Sequence, residues 1–374
     1  MNGNNTFNFE SSKYLGVNLL GIQYTIDDYK SIINFPKFAE LVQKDFSLIQ
    51  NWQSADKFFQ EHTIFIINSF LSGRQTLGIE MWLSLLERIR QVNLEEYKRI
   101  HKGTAYFHAG VYSLFSGHYE NAFQWFEYAL EQDLKLQRNE APSVWILTFD
   151  TREKQPKRGN EYEYTRKLLC KIQQFINEIR IYDSRFNLTA DSLRGIIKSK
   201  IVNNSYSRSL RSAWTSLLSS FLKYEETERF LRISPNSNES QVIVNSFLLN
   251  LTLALETFIK KSPRASSILL QKGDIGELYQ KVIAPNYGFT YTNNKGFISN
   301  CQINKNYFNM LNEISIAEQS EDKLAVAFTV CQRVRNMSYH IFNEDFINEE
   351  LFRNLTLRIY YAILSVIEKL KLYV

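Results

Sequence analysis

The chain is poor in cysteine and has no long apolar run, and both shortages exclude classes of protein. Only Cys170, Cys301 and Cys331 occur in 374 residues, and neither they nor the five histidines show the spacing of a disulfide framework or a zinc site. No stretch of about 18 uncharged apolar residues is present, and residues 1–10 lack the basic and apolar regions of a signal peptide. We therefore expect a cytoplasmic protein with no metal site and no membrane-spanning segment.

Several catalytic motifs are also missing from the sequence. There is no Walker A run, no Gly-x-Ser-x-Gly elbow and no His-Glu-x-x-His pair, so ATPase, serine hydrolase and metalloprotease functions have little support. The net charge of +5 permits contact with nucleic acid but does not argue for it alone. Hydrophobic residues at 44% and aromatic residues at 14% indicate a folded, aromatic-rich chain.

Hydrophobic periodicity predicts a mostly α protein of three parts. The polar stretch 234–240 is the clearest boundary, and it separates a linker plus basic helical region, 139–233, from a helical domain at 234–374. Residues 1–138 form an N-terminal helical region. The periodicity predicts C-terminal helices near 241–261, 263–283, 304–318, 321–342 and 345–372, whereas the apolar run 144–149 favours a short β-strand. We expect the C-terminal part to fold by itself.

One helical hairpin is well defined in the N-terminal region. Gly110 permits close approach of two helices, Gly117 ends the first helix, and Ala122, Phe126 and Ala129 form the tight face of the second. Residues 104–134 thus resemble one tetratricopeptide (TPR) repeat, with a degenerate partner near 55–92 and a second helix that is predicted to run on to Gln137. The resemblance implies a surface for a protein partner or a second domain.

The two histidines of this hairpin do not suggest a ligand site. His108 and His118 have no residue of ligand type repeated beside them. We interpret both as exposed or turn residues of the repeat.

A basic section follows the hairpin. No acidic residue occurs between Asp191 and Glu225, and cationic residues alternate there with Tyr206, Trp214 and Tyr224. Such a surface is able to follow an RNA backbone and offer rings for stacking. The alternative is a solvated helical face whose Trp214 and Leu217 turn inward. The candidate RNA-binding residues are Arg194, Lys198, Lys200, Arg208, Arg211 and, further along the chain, Arg333.

Polar residues interrupt an otherwise apolar helix near the C-terminus. Arg335, Asn336 and His340 follow the apolar run 324–334, and burying them would be costly unless they are paired or functional. On an ideal helix Asn336 and His340 share a face, whereas Arg335 and His340 point about 140° apart. One copy therefore makes a poor compact site, but two copies crossing at a two-fold axis would bring Arg335 of one chain near His340 of the other.

Structural roles for the same residues remain open. Arg335 is able to form an ion pair with Glu344, Asp345 or Glu349, and His340 is able to satisfy the core near a helix end. A third possibility is Glu256, which lies in the apolar helix near 241–261. Glu256 either pairs with Arg335 across the bundle or faces water.

The run Arg335-Asn336-Met337-Ser338-Tyr339-His340 resembles the Arg-x4-His signature of HEPN domains, which are helical bundles that act as RNases or bind nucleotides. Membership would imply a C-terminal HEPN-like bundle and cleavage of single-stranded RNA by a homodimer without metal or cofactor. His340 would move protons, Arg335 would hold the phosphate, and Asn336 would support the geometry. Such domains commonly serve as toxins or antiviral defence effectors. The alternative is a non-catalytic TPR adaptor whose HEPN-like domain dimerises or binds a nucleotide.

Overall fold

The fold is described from a computed structural model, which covers residues 86–87, 90–91, 94–135, 141–151, 160–202, 208–235, 237–261, 303, 307–320, 322–339 and 346–370. The α-helices are α1 (Leu94–Arg99), α2 (Gly103–Phe115), α3 (Tyr119–Lys135), α4 (Pro142–Leu147), α5 (Asn160–Tyr182), α6 (Ala190–Ile196), α7 (Arg208–Ile233), α8 (Asn238–Lys260), α9 (Met310–Ser320), α10 (Lys323–Tyr339) and α11 (Glu349–Leu370). A π-helical segment, Ile197–Val202, follows α6. Within these ranges no β-strand occurs, so the predicted mostly α fold class is confirmed.

The β-strand predicted at 144–149 is wrong, because these residues belong to α4 and the turn after it. Ala141 is extended, Pro142 occupies the first turn of the helix, and the Thr148 hydroxyl donates to the carbonyl of Val144 at 2.7 Å. Thr148 is the only polar residue in the run and cannot set a period alone, and a nearly continuous apolar run fits a buried helix as well as a buried strand. The segment is largely buried, with Phe149 at 0% exposure.

The predicted hairpin is formed by α2 and α3, with only residues 116–118 between them. Gly117 has φ +75°, the left-handed region that ends a helix at little cost for glycine. A Cβ at Gly110 would lie 2.6 Å from the ring of Phe126, so the close approach requires glycine. Ala122, Phe126 and Ala129 are fully buried, as predicted for the tight face. Gln137 and most of the partner near 55–92 lie outside the described residues.

The two histidines of the hairpin differ in environment. His118 is exposed in the turn, as predicted. The prediction for His108 is wrong, because His108 lies within α2, is half-buried and meets the ring of Phe107 edge-on. Burial lowers the pKa of His108 to about 4, since a desolvated imidazolium is unfavourable.

We expect the stability of the protein to fall between about pH 6.5 and pH 4 because of His108. The unfolded chain takes up a proton near pH 6.5, but the folded chain does so only near pH 4, so acid favours unfolding across that window. The loss is at most about 3 kcal/mol. Urea unfolding of the wild type and of His108→Gln at pH 7 and pH 5 measures this loss in the free energy of unfolding. The wild type should lose more stability than the variant, and equal losses would contradict the assignment.

The central helices pack on both sides of the predicted domain boundary. The Ser237 hydroxyl caps α8 by accepting from the backbone amide of Ser240 at 3.1 Å. The side-chain Nε2 of Gln241 donates to the carbonyls of Pro235 and Ile347, each at 3.0 Å. The stretch 234–240 is therefore a short capped connection between α7 and α8, which pack directly against each other. The predicted helix near 263–283 lies outside the described residues.

The hydrophobic core does not divide at residue 234. Tyr360 of α11 stacks on Phe221 of α7 at 4.6 Å between ring centroids, and its hydroxyl lies 2.9 Å from that of Ser220. The hydroxyl of Tyr361 donates to Asp183 at 2.6 Å. Burial raises the pKa of Asp183, but hydrogen bonds from Arg185 and Tyr361 outweigh it and bring that pKa down to about 2. The predicted parts 139–233 and 234–374 thus share one core among the described helices.

The helix α8 is apolar enough to cross a membrane by length and composition, with a mean hydropathy of 1.7. Length and composition fit a buried core helix equally well, and 56% of this stretch is buried inside the protein. It packs against α7, α10 and α11. The packing therefore accounts for its apolar character.

Candidate active site

Two of the three predicted catalytic residues, Arg335 and Asn336, lie in the second half of α10. Val330, Cys331, Val334 and Met337 are buried in the core, and they fix the orientation of the helix. The four polar residues between them, Gln332, Arg333, Arg335 and Asn336, are half-buried. Burial raises the pKa of the Cys331 thiol, so Cys331 is a packing residue rather than a nucleophile.

Arg335 forms an ion pair with Glu256 of α8. Its Nε donates to Glu256 Oε2 at 2.7 Å, and Glu256 is only 7% exposed. The predicted pairing across the bundle is confirmed. The alternative partner Glu349 is wrong, because it binds Arg232 and Arg353, whereas Glu344 and Asp345 lie outside the described residues.

The contact with Glu256 uses one edge of the Arg335 guanidinium. Among the described residues, no acceptor is bonded to Nη1 or Nη2, and the side chain is 33% exposed. A guanidinium that is fixed at Nε and open at its two other nitrogens matches the spacing of two phosphate oxygens. Glu256 also fixes the rotamer of the arginine, which lowers the entropy lost on binding.

Positive charge gathers where α8 and α10 end side by side. Lys260 pairs with the carboxylate of Glu256, one helical turn along α8, and Lys261 is exposed beside it. Arg333 is half-buried, and in the described part of the chain its Nε has no hydrogen-bond partner. Lys260 and Arg335 both pair with the carboxylate of Glu256, so positive charge is in excess at this contact. Such an excess attracts an anionic ligand.

Asn336 and His340 complete the predicted motif. Asn336 is half-buried next to Arg335 on α10. His340 lies outside the described residues, so the geometry between His340 and Arg335 stays a prediction.

Two arginines of the predicted RNA-binding set are engaged within the chain. Arg194 is paired with Asp191 at 2.6 Å and lies over the ring of Phe149, with 11% of its side chain exposed. Arg211 is 13% exposed and lies 3.3 Å from Glu131. These two guanidinium groups are therefore poorly placed to bind the phosphates of an RNA backbone.

The other predicted cations are more accessible. Arg208 is 61% exposed, although it lies 3.7 Å from Glu131 and over the ring of Tyr128. Lys198 and Lys200 are half-buried on the π-helical segment. A role for these residues in RNA binding stays a prediction.

The rings expected to stack on bases are buried. Trp214 is 1% exposed and donates from Nε1 to the carbonyl of Leu147 at 2.7 Å, and Tyr224 is 8% exposed. The alternative prediction, in which Trp214 and Leu217 turn inward, is confirmed. Tyr206 lies outside the described residues.

Two features near Arg335 did not enter the sequence prediction. Lys260 and Lys261 lie one turn beyond Glu256, and the spacing of four between Glu256 and Lys260 is a signal for a helical ion pair. In isolation that signal is common on helices, so it did not point to a site. No protein-family model, curated protein or solved structure matches the chain. The two family resemblances therefore rest on the residues of this chain.

Proposed function

We propose that the protein is a metal-independent endoribonuclease that cleaves single-stranded RNA at a site built from Arg335, Asn336 and His340. The observation that carries the proposal is the guanidinium of Arg335, which is held at Nε by buried Glu256 and, among the described residues, has no partner at either Nη atom. The excess of positive charge that Lys260 and Arg335 make at Glu256 supports an anionic substrate.

The chemistry requires few groups because RNA supplies its own nucleophile. The 2′-hydroxyl attacks the adjacent phosphorus, the bond to the 5′-oxygen breaks, and a 2′,3′-cyclic phosphate remains on the upstream fragment. His340 takes the proton of the 2′-hydroxyl in one chain, and its counterpart protonates the leaving oxygen. Arg335 neutralises the charge that grows on the phosphate, and Asn336 holds the substrate in place.

The spacing of Arg335 and His340 along the helix favours a homodimer. Arg335 and His340 diverge by about 140° on one ideal helix, so a compact site needs residues of two chains. We propose that the protein acts in the cytoplasm as a toxin or antiviral defence effector, and that the TPR-like hairpin holds a protein partner or second domain. Arg208, Lys198 and Lys200 are the accessible candidates for contacts with the RNA backbone.

Replacement of His340 tests the proton-transfer role. We expect His340→Ala to abolish cleavage of single-stranded RNA with little change in helicity or melting temperature, because one side chain near a helix end is lost. Chelation by EDTA should leave the wild type fully active. His118→Ala, an exposed turn residue, is the matched control. Cleavage by purified His340→Ala at the wild-type rate, or loss of activity in EDTA, would overturn the proposal.

Mixing two impaired variants tests the shared site. Arg335→Ala should be strongly slowed and His340→Ala inactive. Refolded together they should cleave faster than either variant alone, because a mixed dimer holds one intact Arg335/His340 pair. A wild type that is strictly monomeric at micromolar concentration and still cleaves RNA would show that one chain is sufficient.

A TPR adaptor is the second candidate function. The ion pair between Arg335 and Glu256 favours it, since the same contact holds α8 and α10 together with no substrate involved. In that case Arg335→Ala would change stability alone, and the full chain would not cleave RNA under any of these conditions.

A further inference from the structure

A polar groove runs between α3 and α7, away from the Arg335 site. It has a volume of about 260 Å³. One wall is formed by Asn121, Gln124 and Tyr128 of α3, and the other includes Ser212, Thr215 and Ser216 of α7. Side chains that form hydrogen bonds make up most of the lining, in contrast to the apolar lining of most ligand pockets.

The charges around the groove balance one another. Glu120 accepts from Lys223 at 2.9 Å, and Arg208 lies 3.7 Å from Glu131. The third acid, Glu127, lies 3.9 Å from Arg211. A ligand with net charge would therefore lose water around a charge that has no counterion in the groove. An uncharged ligand avoids this desolvation cost.

The hydroxyl groups of α7 that line the groove already donate hydrogen bonds within the protein. Ser212 donates to Glu127 at 3.1 Å, Thr215 donates to the carbonyl of Ser212 at 2.9 Å, and Ser219 donates to the carbonyl of Ser216 at 2.8 Å. A hydroxyl that donates in this way keeps its lone pairs for a ligand. This wall therefore presents a row of acceptors, which calls for a ligand with several donors.

The opposite wall adds a donor. The Tyr128 hydroxyl accepts from Gln124 Nε2 at 3.0 Å, which leaves its own proton for a ligand. At the floor, Glu127 is 3% exposed, and its pKa is raised because burial outweighs the hydrogen bond from Ser212 and the charge of Arg211. Both walls thus suit a molecule whose groups donate and accept together.

We propose that the groove between α3 and α7 binds an uncharged polyhydroxylated molecule, a monosaccharide or the ribose of a nucleoside. Neighbouring hydroxyl groups on a sugar ring each donate and accept, which matches an acceptor row opposite a tyrosine hydroxyl. None of the lining residues belongs to the Arg335 motif, although Arg208 at the edge of the groove is also a candidate contact to the RNA backbone.

Ligand-observed NMR on the full chain tests the site with defined probes. The probes are glucose, ribose and adenosine, with glucose 6-phosphate and glucosamine as charged counterparts of glucose. We expect at least one uncharged probe to bind, and Ser216→Leu to weaken it by about tenfold or more, because leucine fills the groove from an exposed position. Ser315→Leu, at an exposed serine of α9, is the matched control and should bind as the wild type does.

Binding by adenosine and ribose but not glucose would identify a nucleoside site, and binding by glucose would identify a sugar site. Both support the proposal. The proposal is overturned if no uncharged probe binds, if a charged counterpart binds more tightly than glucose, or if Ser216→Leu binds as well as the wild type. Circular dichroism checks that the variant is folded, and Asn121→Leu on the opposite wall carries the same expectation if it is not.

Discussion

Arg335→Ala should reduce the rate of RNA cleavage by about 10²–10³-fold, the usual effect of removing one donor that stabilises charge in the transition state. The fold should survive this change, because Lys260 remains paired with the carboxylate of Glu256 after the guanidinium is removed. Arg335→Lys should recover only part of the rate, since an ammonium group cannot bind two phosphate oxygens in a fork. Single-turnover cleavage of a labelled single-stranded RNA measures both rates.

Arg166→Ala is a matched control for this experiment. Arg166 is an exposed arginine paired with Glu163 at 2.9 Å on α5, and it should affect neither cleavage nor folding. Glu256→Gln should also slow cleavage while Arg335 is still present, because the guanidinium loses its charged anchor. Full activity of Arg335→Ala, together with a lowered melting temperature, would show that the ion pair between Arg335 and Glu256 only stabilises the fold.

The fragment 234–374 should not fold on its own. Separation at this point removes α5 and α7, and thereby exposes Tyr360 and Phe352, which pack on Phe221 and Tyr224. Each large aromatic side chain that leaves a core costs about 3–5 kcal/mol, and a typical domain has only about 5–15 kcal/mol of net stability. The fragment should therefore show no cooperative thermal transition in near-ultraviolet circular dichroism.

Coexpression supplies the control for the fragment. Residues 1–233 produced together with 234–374 should restore a cooperative transition, because the shared core can then assemble from two chains. A fragment that melts cooperatively within a few degrees of the full chain would show that the contacts across residue 234 contribute little. It would also restore the domain division that the sequence favours.

Local signals in the sequence predicted the helices and the hairpin well. Gly110 and Gly117 act through contacts within a few residues of a turn, so their roles are readable from spacing. The pairing of Arg335 with Glu256 could also be predicted, because a charged residue in each of two apolar helices is costly to bury unless the two charges pair. The predicted strand at 144–149 was wrong because a single polar residue, Thr148, does not fix the period of that run.

Nonlocal contacts account for the rest of the errors. The stretch from 192 to 224 has no acidic residue, but Glu127 and Glu131 of α3 reach its arginines from far away in the sequence. The polar stretch 234–240 has the composition of a linker, but Ser237 within it caps α8 and the carbonyl of Pro235 accepts from the side chain of Gln241. Composition along the chain does not show which helices will be neighbours.

The chemistry of the product ends is the most direct test of the proposed site. Purified full-length protein should cleave single-stranded RNA in EDTA and leave a 2′,3′-cyclic phosphate and a 5′-hydroxyl, because the 2′-hydroxyl is the nucleophile. RNA with a 2′-O-methyl group at the cleaved nucleotide, and DNA of the same sequence, should remain intact. Products that carry a 5′-phosphate and a 3′-hydroxyl, or cleavage of the 2′-O-methyl RNA, would contradict the assignment of Arg335 and His340 to this reaction.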